Sequence, residues 1–146
     1  MIRAVLDANV VASGILRFDD ADSAPNPILR RWLASDFVMV ISGALRAEIE
    51  DTMLVKPYFS DRVTRAVSDD WLETIDESTE LVEIVVAVSG AATHPEDDLI
   101  LATAVSGSAE YLVTGDKQLR RLESFQSVAI VSPVEFIAVL NATEAG

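Results

Sequence analysis

The sequence contains no cysteine and a single histidine, His94. Without cysteine, disulfide bonds, thiolate zinc sites and cysteine nucleophiles are all excluded. With one histidine, a metal site built from several imidazoles is excluded as well. Any metal site in this chain must therefore consist mainly of oxygen ligands, which suit Mg²⁺ or Mn²⁺ better than zinc.

Basic residues and long apolar runs are also scarce. The chain has 11 Lys and Arg against 24 Asp and Glu, and its net charge of −13 argues against a broad basic surface for nucleic acid. No segment approaches the roughly 20 apolar residues that span a bilayer. Asp7 interrupts the first apolar segment too early for a signal peptide. We therefore expect a cytoplasmic protein with no membrane association.

The residues that are present describe a globular chain. Its 146 residues are 50% apolar and 24% charged, which favours one domain over residues 1–146. Apolar and β-branched runs predict buried strands, and apolar residues at helical spacing predict helices. The predicted strands are Ile2–Leu6, Phe37–Ile41, Leu81–Val88, Tyr111–Thr114 and Val128–Val131. The predicted helices are Asn9–Leu16, Pro27–Ala34, a helix capped by Ser42 that Pro57 ends, Ser60–Ile75, His94–Val105, Leu119–Leu122 and Val134–Leu140.

Strands and helices alternate along the whole chain. Alternation with fully apolar strands indicates a parallel sheet that helices cover on both faces. We therefore predict an α/β fold, a three-layer α/β/α sandwich with a central, mainly parallel sheet of about five strands.

Carboxylates stand at the ends of these predicted strands. Asp7 ends the first strand, and Asp116 lies just past the fourth. Asp97 and Asp98 begin the helix that leads to the fourth strand, and Glu48 lies in the helix after the second. Ligands bind at the carboxyl ends of strands in open parallel sheets. Ionised acids at the edge of a core need a partner, and a metal ion is a suitable one.

Each acid also has an ordinary structural explanation. Asp7 can cap the helix that follows it. Asp97 and Asp98 can serve the dipole at the start of their helix, and Asp116 can belong to a turn. Glu48 can be a solvated helix acid. It is their joint placement at one predicted sheet edge that favours a site.

Phosphodiester hydrolysis is the chemistry that fits such a cluster, because two divalent ions can activate water and stabilise the leaving oxygen. A haloacid-dehalogenase-type phosphatase also begins with a strand and Asp, but it needs a second Asp where this chain has Asn9. A receiver domain needs a lysine late in the sheet, and Lys117 directly follows Asp116 in a loop instead.

The motifs resemble those of a PIN domain from residue 3 to about residue 137. Val5–Gly14 resembles the first motif, and Ser42–Ile49 is similar to the second, a serine-capped helix carrying Glu. Lys56-Pro57 matches one subgroup's basic-Pro pair. His94–Ala102 resembles the third motif, and Tyr111–Leu119 the fourth, which is the most specific. The subgroup comprises bacterial and archaeal toxin components related to VapC-type toxins.

This resemblance implies a PIN-like fold and an endoribonuclease that cleaves single-stranded RNA. It also implies an antitoxin protein as partner in a type II toxin–antitoxin pair, and a homodimer. Asn9 and Thr114 would orient the acids. The acidic pocket for Mg²⁺ or Mn²⁺, which is also the catalytic site, would be formed by Asp7, Glu48, Asp97, Asp98 and Asp116.

Two positions depart from the subgroup's pattern: His94 and Glu96 stand where it usually has Asp. We expect His94 to cap its helix or to lie at the pocket rim. The motif pattern favours Asp97 as the ligand, whereas spacing to Asp116 compared with VapC-type toxins favours Asp98, and both stay open.

The alternative to an enzyme is a PIN-fold scaffold that binds RNA or protein with weak or no nuclease activity. An acidic nuclease would engage RNA through metal, a dimer groove or a local basic edge. The candidates for that edge are Arg17, Arg30, Arg31, Arg62, Arg65, Lys117, Arg120 and Arg121, of which most are expected to be scattered solvated charges.

Overall fold

The structure is a computed structural model that describes residues 1–19, 28–92 and 94–145. The strands are β1 (Arg3–Leu6), β2 (Val38–Ser42), β3 (Glu80–Val82), β4 (Tyr111–Val113), β5 (Ser124–Phe125) and β6 (Val128–Val131). The helices are α1 (Ala8–Leu16), α2 (Ile28–Leu33), α3 (Gly43–Leu54), α4 (Pro57–Ser60), α5 (Arg65–Ser78), α6 (Pro95–Ser106), α7 (Lys117–Arg120) and α8 (Pro133–Ala145).

One sheet organises the described part of the chain, with strand order β3-β2-β1-β4-β6-β5. All neighbouring strands are parallel except β5, which runs antiparallel to β6. The chain builds outward from β1 in one direction through β2 and β3, and then in the other direction from β4. The reversal opens a crevice at the carboxyl ends of β1 and β4, where ligands bind in sheets of this kind.

Helices cover both faces of the sheet. Successive residues of a strand point to opposite faces, yet neighbours Ala4 and Val5 of β1 are both fully buried. Leu112 and Val113 of β4 are buried in the same way. Helix α6 packs on β1, β2 and β4, and α8 packs on β4. The predicted α/β fold with a mainly parallel central sheet is confirmed.

The sheet differs from the sequence prediction at its two edges. The third strand spans only Glu80–Val82, so the segment predicted to continue to Val88 leaves the sheet. There the amides of Val85 and Val86 donate to the hydroxyl of Ser106, the last residue of α6, at 2.9 and 3.3 Å. These hydrogen bonds take the place of bonds to a neighbouring strand. At the other edge, the two-residue strand β5 makes the sheet six-stranded, and it was too short to leave a pattern.

Two helix predictions were wrong in detail. Helix α3 ends at Leu54, and Pro57 begins the short helix α4 instead of ending α3. The helix predicted from Ser60 begins at Arg65, where the Thr64 side chain caps it. Helix α2 matches the predicted Pro27–Ala34, although Pro27 itself lies outside the described residues.

Helix α6 is not buried on every face, because Leu99 is 49% exposed. Ile100 and Leu101, the next two residues, are buried. Among the residues described, no helix has the length and apolar character needed to cross a membrane.

Gly107, directly after α6, lies where a helix end meets β2. A Cβ atom at this position would stand 2.4 Å from Cγ1 of Val40, a fully buried strand residue. We expect Gly107→Ala to lower the free energy of unfolding by about 1–3 kcal/mol, because the packed core cannot move aside without strain. Urea denaturation measures this loss.

Gly43→Ala is the matched control for that substitution. Gly43 starts α3 and has open space where its Cβ would stand. Alanine is a better helix former than glycine. The unfolding free energy of this variant is therefore expected to equal that of the wild type or to exceed it by up to about 1 kcal/mol. Equal unfolding free energies for the two alanine variants would contradict the packing argument.

Candidate metal centre

Asp7 stands where β1 turns into α1. It caps the helix, since its Oδ1 accepts a hydrogen bond from the Val10 amide at 2.8 Å. Its Oδ2 accepts a hydrogen bond from the Thr114 hydroxyl. The side chain is only 8% exposed. The capping explanation is therefore correct, and it leaves the carboxylate fixed at the mouth of the crevice.

Thr114 connects the ends of the two central strands. It is fully buried just after β4, and its hydroxyl donates to Asp7 and accepts from the Asp116 amide at 3.0 Å. Asp116 in turn caps α7, with its Oδ1 accepting from the amides of Gln118 and Leu119 at 2.8 and 3.1 Å. One threonine thus holds the first and last of the predicted acids in a fixed relation.

Glu48 and Asp97 approach the same crevice from helices α3 and α6. The hydroxyl of Ser42 caps α3 by accepting from the Leu45 amide at 3.2 Å, and it also lies 2.7 Å from the Thr103 hydroxyl of α6. This contact ties the two helices together near their ends. Both acids are half-buried. Asp97 sits in the first turn of its helix, where its charge complements the helix dipole.

Asp98 faces away from these acids toward the preceding loop. Its Oδ2 accepts from the Gly90 amide at 3.0 Å, and its Oδ1 accepts from the Ala92 amide at 2.9 Å. Neighbouring positions of a helix differ by about 100° in direction, so two adjacent acids cannot share one target. His94 occupies the N-cap position of α6 with an exposed side chain that makes no capping hydrogen bond.

The acids surround a cleft of about 260 Å³, which we call the acidic cleft. Its lining consists of Asp7, Ala8, Asn9, Glu48, Asp97, Ile100, Gly115 and Asp116. Across the ranges 1–19, 28–92 and 94–145, however, no three Asp, Glu or His side chains converge closely enough to hold one metal ion. The acids thus share a cleft without forming a closed coordination shell.

The electrostatics of the acidic cleft are those of crowded negative charge. Burial raises the pKa of Asp7, and the charge of Asp116 raises it further, against the hydrogen bonds from Thr114 and Val10. Burial likewise raises the pKa of Glu48 and that of Asp97, to which neighbouring acids add. The positive charge of Lys56 opposes the increase at Glu48.

These observations fit a divalent cation. The donors are carboxylate oxygens, which Mg²⁺ and Mn²⁺ prefer. Burial and neighbouring acids raise the pKa of Asp7, Glu48 and Asp97, and a bound cation would favour their ionised forms. Asp7, Glu48, Asp97 and Asp116 are the acids in the lining of the cleft.

The raised pKa values predict that acid stabilises the metal-free cleft. For each of these groups the folded state holds its proton more tightly than the unfolded state. Their contribution to stability is fully present below the unfolded pKa and is lost as the pH rises through the folded pKa. We expect the unfolding free energy of the wild type, relative to that of Asp7→Asn, to decrease as the pH is raised from the ordinary carboxyl range to neutral.

Asp76→Asn provides a control of opposite sign for the same urea titration. Hydrogen bonds from Arg46 at 2.7 and 3.0 Å lower the pKa of Asp76. Its contribution is therefore present above the unfolded pKa and is lost as the pH falls. If the unfolding free energies of the wild type relative to the two variants changed with pH in the same direction, the raised pKa assigned to Asp7 would be contradicted.

Sequence reasoning missed part of the cleft wall. Ala8, Ile100 and Gly115 line it without carrying ligand chemistry, so only their sequence proximity to the acids could have indicated them. Asn9 lies at the rim with an exposed side chain. Its backbone amide, not its side chain, is the group that lowers the pKa of Asp7.

Comparison with known proteins matches the chain to a family. A family model described as PIN domain matches residues 3–118. No curated protein sequence matches the chain.

Several solved structures share the fold. VapBC2 from Rickettsia felis bound to a DNA fragment from its promoter has a TM-score of 0.60 at 16% identity, covering 90% of this chain and 98% of that one. PAE2754 from Pyrobaculum aerophilum has a TM-score of 0.61 at 16% identity, covering 97% and 90%. DNA-bound VapBC from Salmonella typhimurium has a TM-score of 0.56 at 16% identity, covering 91% and 99%.

Proposed function

Because this chain belongs to the PIN domain family, we propose that it is a metal-dependent endoribonuclease that cleaves single-stranded RNA in the acidic cleft. The observation that carries the proposal is the placement of Asp7, Glu48, Asp97 and Asp116 in the lining of one cleft, at the point where strand order reverses. These acids come from distant parts of the chain, and local helix capping explains only two of them.

The ion would be Mg²⁺ or Mn²⁺, held by the four acids of the cleft. When bound, a divalent ion supplies charge stabilisation to the phosphodiester and lowers the pKa of water. Asp7 is held in place from two sides, by the Val10 amide and the Thr114 hydroxyl. Thr114 would act on the reaction indirectly, by orienting Asp7 and the backbone of Asp116.

Asp98 would support the site without touching the ion. Both its carboxylate oxygens hold the loop before α6 through the amides of Gly90 and Ala92. This anchors the start of the helix that carries Asp97. We therefore assign Asp97, not Asp98, to the ion.

The same family membership supports a proposal about the protein partner and the oligomeric state. We propose that the protein is the toxin of a type II pair, held silent by an antitoxin, and that it forms a homodimer. The likeness in fold to two VapBC structures supports this. Induced expression is expected to arrest growth, and Asp7→Asn to relieve the arrest. Sedimentation of the purified protein tests the dimer.

The decisive experiment is cleavage of a mixed single-stranded RNA by purified protein with Mn²⁺, Mg²⁺ or EDTA. We expect cleavage with either ion and none with EDTA. Calorimetric titration with Mn²⁺ measures binding independently of any substrate requirement. Absence of both cleavage and Mn²⁺ binding would overturn the proposal and favour the scaffold alternative, which the open arrangement of the acids would then explain.

A further inference from the structure

The basic residues of this acidic protein fall into two groups. Hydrogen bonds to acids or backbone carbonyls engage Arg3, Arg30, Arg31, Arg46, Arg62 and Arg65. In the part of the chain that the structure describes, no side-chain hydrogen bond or ion pair is made by Arg17, Lys56, Lys117, Arg120 or Arg121.

The cations of the second group follow acids of the acidic cleft along the chain. Lys117, Arg120 and Arg121 follow Asp116 within one short helical turn and its cap. Lys56 is near enough to Glu48 to lower its pKa, although burial raises that pKa overall. Arg17 lies at the end of α1, the helix that Asp7 caps. The chain has a net charge of −13, so acidic partners are plentiful. That these cationic side chains make no hydrogen bond to an acid among the described residues therefore requires an explanation.

A second cleft of about 230 Å³ adjoins the acidic cleft and contains one of these cations. We call it the Arg17 cleft, and it is lined by Asn9, Val10, Ser13, Arg17, Gly115 and Pro133. It shares Asn9 and Gly115 with the acidic cleft, so the two are neighbouring parts of one surface groove. Unlike its neighbour, it has no acid in its lining.

The polar residues of the Arg17 cleft follow one face of α1. Asn9, Ser13 and Arg17 are spaced by four, which aligns side chains on one face of a helix. Eight residues of helix rise by roughly 12 Å, so this row leads from the acidic cleft to the far end of the groove. Arg17 is exposed, and its guanidinium has no competing acid partner among the described residues.

This set of groups suits the backbone of a nucleic acid. Guanidinium, hydroxyl and amide groups are the usual donors to phosphate oxygens, and they contact every sequence alike. Val10 and Pro133 offer small apolar surfaces beside them. The row begins at the acids, so a strand whose scissile phosphate lies there would place a neighbouring phosphate along α1.

We propose that the Arg17 cleft binds a backbone phosphate of the single-stranded RNA substrate next to the scissile one, and that Arg17 is the positioning residue for it. The inference rests on the proposed nuclease function and deepens it. It explains how a chain of net charge −13 engages RNA without a broad basic surface. Recognition here is of phosphate and strand, not of base sequence.

The test compares Arg17→Ala and Arg17→Lys with Arg65→Ala. Arg65 is the matched control because it is an exposed arginine of α5 that does not line either cleft. We expect Arg17→Ala to raise KM about tenfold on an RNA oligonucleotide with kcat little changed, as loss of one charge-assisted phosphate contact predicts. Cleavage of a dinucleotide, which has a single phosphodiester, should be unaffected, and Arg17→Lys should restore much of the loss.

Binding provides a readout that does not require cleavage. The affinity of each variant for a fluorescent single-stranded RNA is measured by anisotropy, in EDTA, over a range of salt concentrations. The slope of log affinity against log salt is negative, and loss of one phosphate contact makes it shallower by about 0.7. A purely structural role for Arg17 would leave this slope and the dependence on substrate length unchanged.

The outcomes separate this inference from the proposed function. If cleavage depends on metal and on Asp7, but Arg17→Ala behaves like Arg65→Ala in both assays, the Arg17 cleft is refuted and the nuclease stands. If the wild type shows neither metal-dependent cleavage nor Mn²⁺ binding, the proposed function fails. The salt dependence of RNA binding then tests the Arg17 cleft by itself. An unchanged slope in Arg17→Ala refutes the proposed phosphate contact, and a shallower slope supports it.

Discussion

Replacing Asp7 with asparagine is expected to reduce metal-dependent RNA cleavage by at least about 100-fold, because loss of even a supporting group around a metal site costs 10–100-fold. The substitution removes the negative charge at the fixed point of the acidic cleft. It keeps the shape of the side chain and an oxygen that can still accept from the Val10 amide. Asparagine is also a good helix cap, so α1 should remain intact.

The fold of Asp7→Asn should be at least as stable as that of the wild type without metal. Burial and the charge of Asp116 disfavour the ionised carboxylate of Asp7 and raise its pKa. Removing that charge relieves both effects at neutral pH. The Thr114 hydroxyl, which donates to Oδ2 of Asp7, can instead accept from the NH₂ group of the asparagine. With Mn²⁺ present the order should reverse, because an ion that binds only the folded wild type raises its melting temperature.

These expectations are checked by cleavage assays and by thermal denaturation with and without Mn²⁺. Asp51→Asn is the matched control, since Asp51 is an exposed acid of α3 outside the cleft lining. It should retain wild-type cleavage and the Mn²⁺-induced rise in melting temperature. Full activity of Asp7→Asn would remove Asp7 from the site.

Asparagine at Asp97 and at Asp98 should have different effects, although the residues are neighbours. Asp97→Asn is expected to lose about 100-fold or more in cleavage and to weaken Mn²⁺ binding, with stability unchanged or increased. The reason is that Asp97 lines the acidic cleft, where burial and neighbouring acids raise its pKa. An uncharged amide relieves that repulsion and removes a ligand.

Asp98→Asn should instead lower the unfolding free energy by about 1–3 kcal/mol, because a side-chain NH₂ replaces one acceptor and leaves a loop amide unpaired. The affected bonds are those from Gly90 and Ala92. Mn²⁺ affinity should stay near that of the wild type, and cleavage should fall less than about tenfold. Calorimetry and urea denaturation separate the two variants, and the reverse pattern would move the ligand assignment to Asp98.

Local sequence patterns were sufficient to predict the central strands and to name the acids that line the cleft. A short apolar run followed by an acid, as in Val5–Asp7, indicates a buried strand and a helix cap without knowledge of the rest of the chain. The absence of cysteine and the single histidine restrict a metal site to oxygen ligands wherever the acids lie. These conclusions depend on residue type and on spacings within one element, which the sequence contains in full.

The edges of the sheet depend on tertiary contacts that local patterns do not contain. Residues beyond Val82 have the β-branched pattern of a strand, yet the Ser106 hydroxyl takes the amides of Val85 and Val86. That competition depends on where α6 lies, which is a property of the packed molecule. Strand β5 has only two residues, so its pairing with β6 creates a strand that no periodic pattern could indicate.

Within the site, the sequence by itself determined which acids are candidates, because their types and their places after strands are local facts. Only the tertiary structure turned Asp97 toward the cleft and Asp98 toward the loop, since adjacent helical residues differ in direction and the fold determines what each one meets. It also joined Asn9, Ser13 and Arg17 to the cleft through Gly115, a residue about 100 positions away in the chain. Such a contact results from the pairing of β1 with β4, which no local pattern specifies.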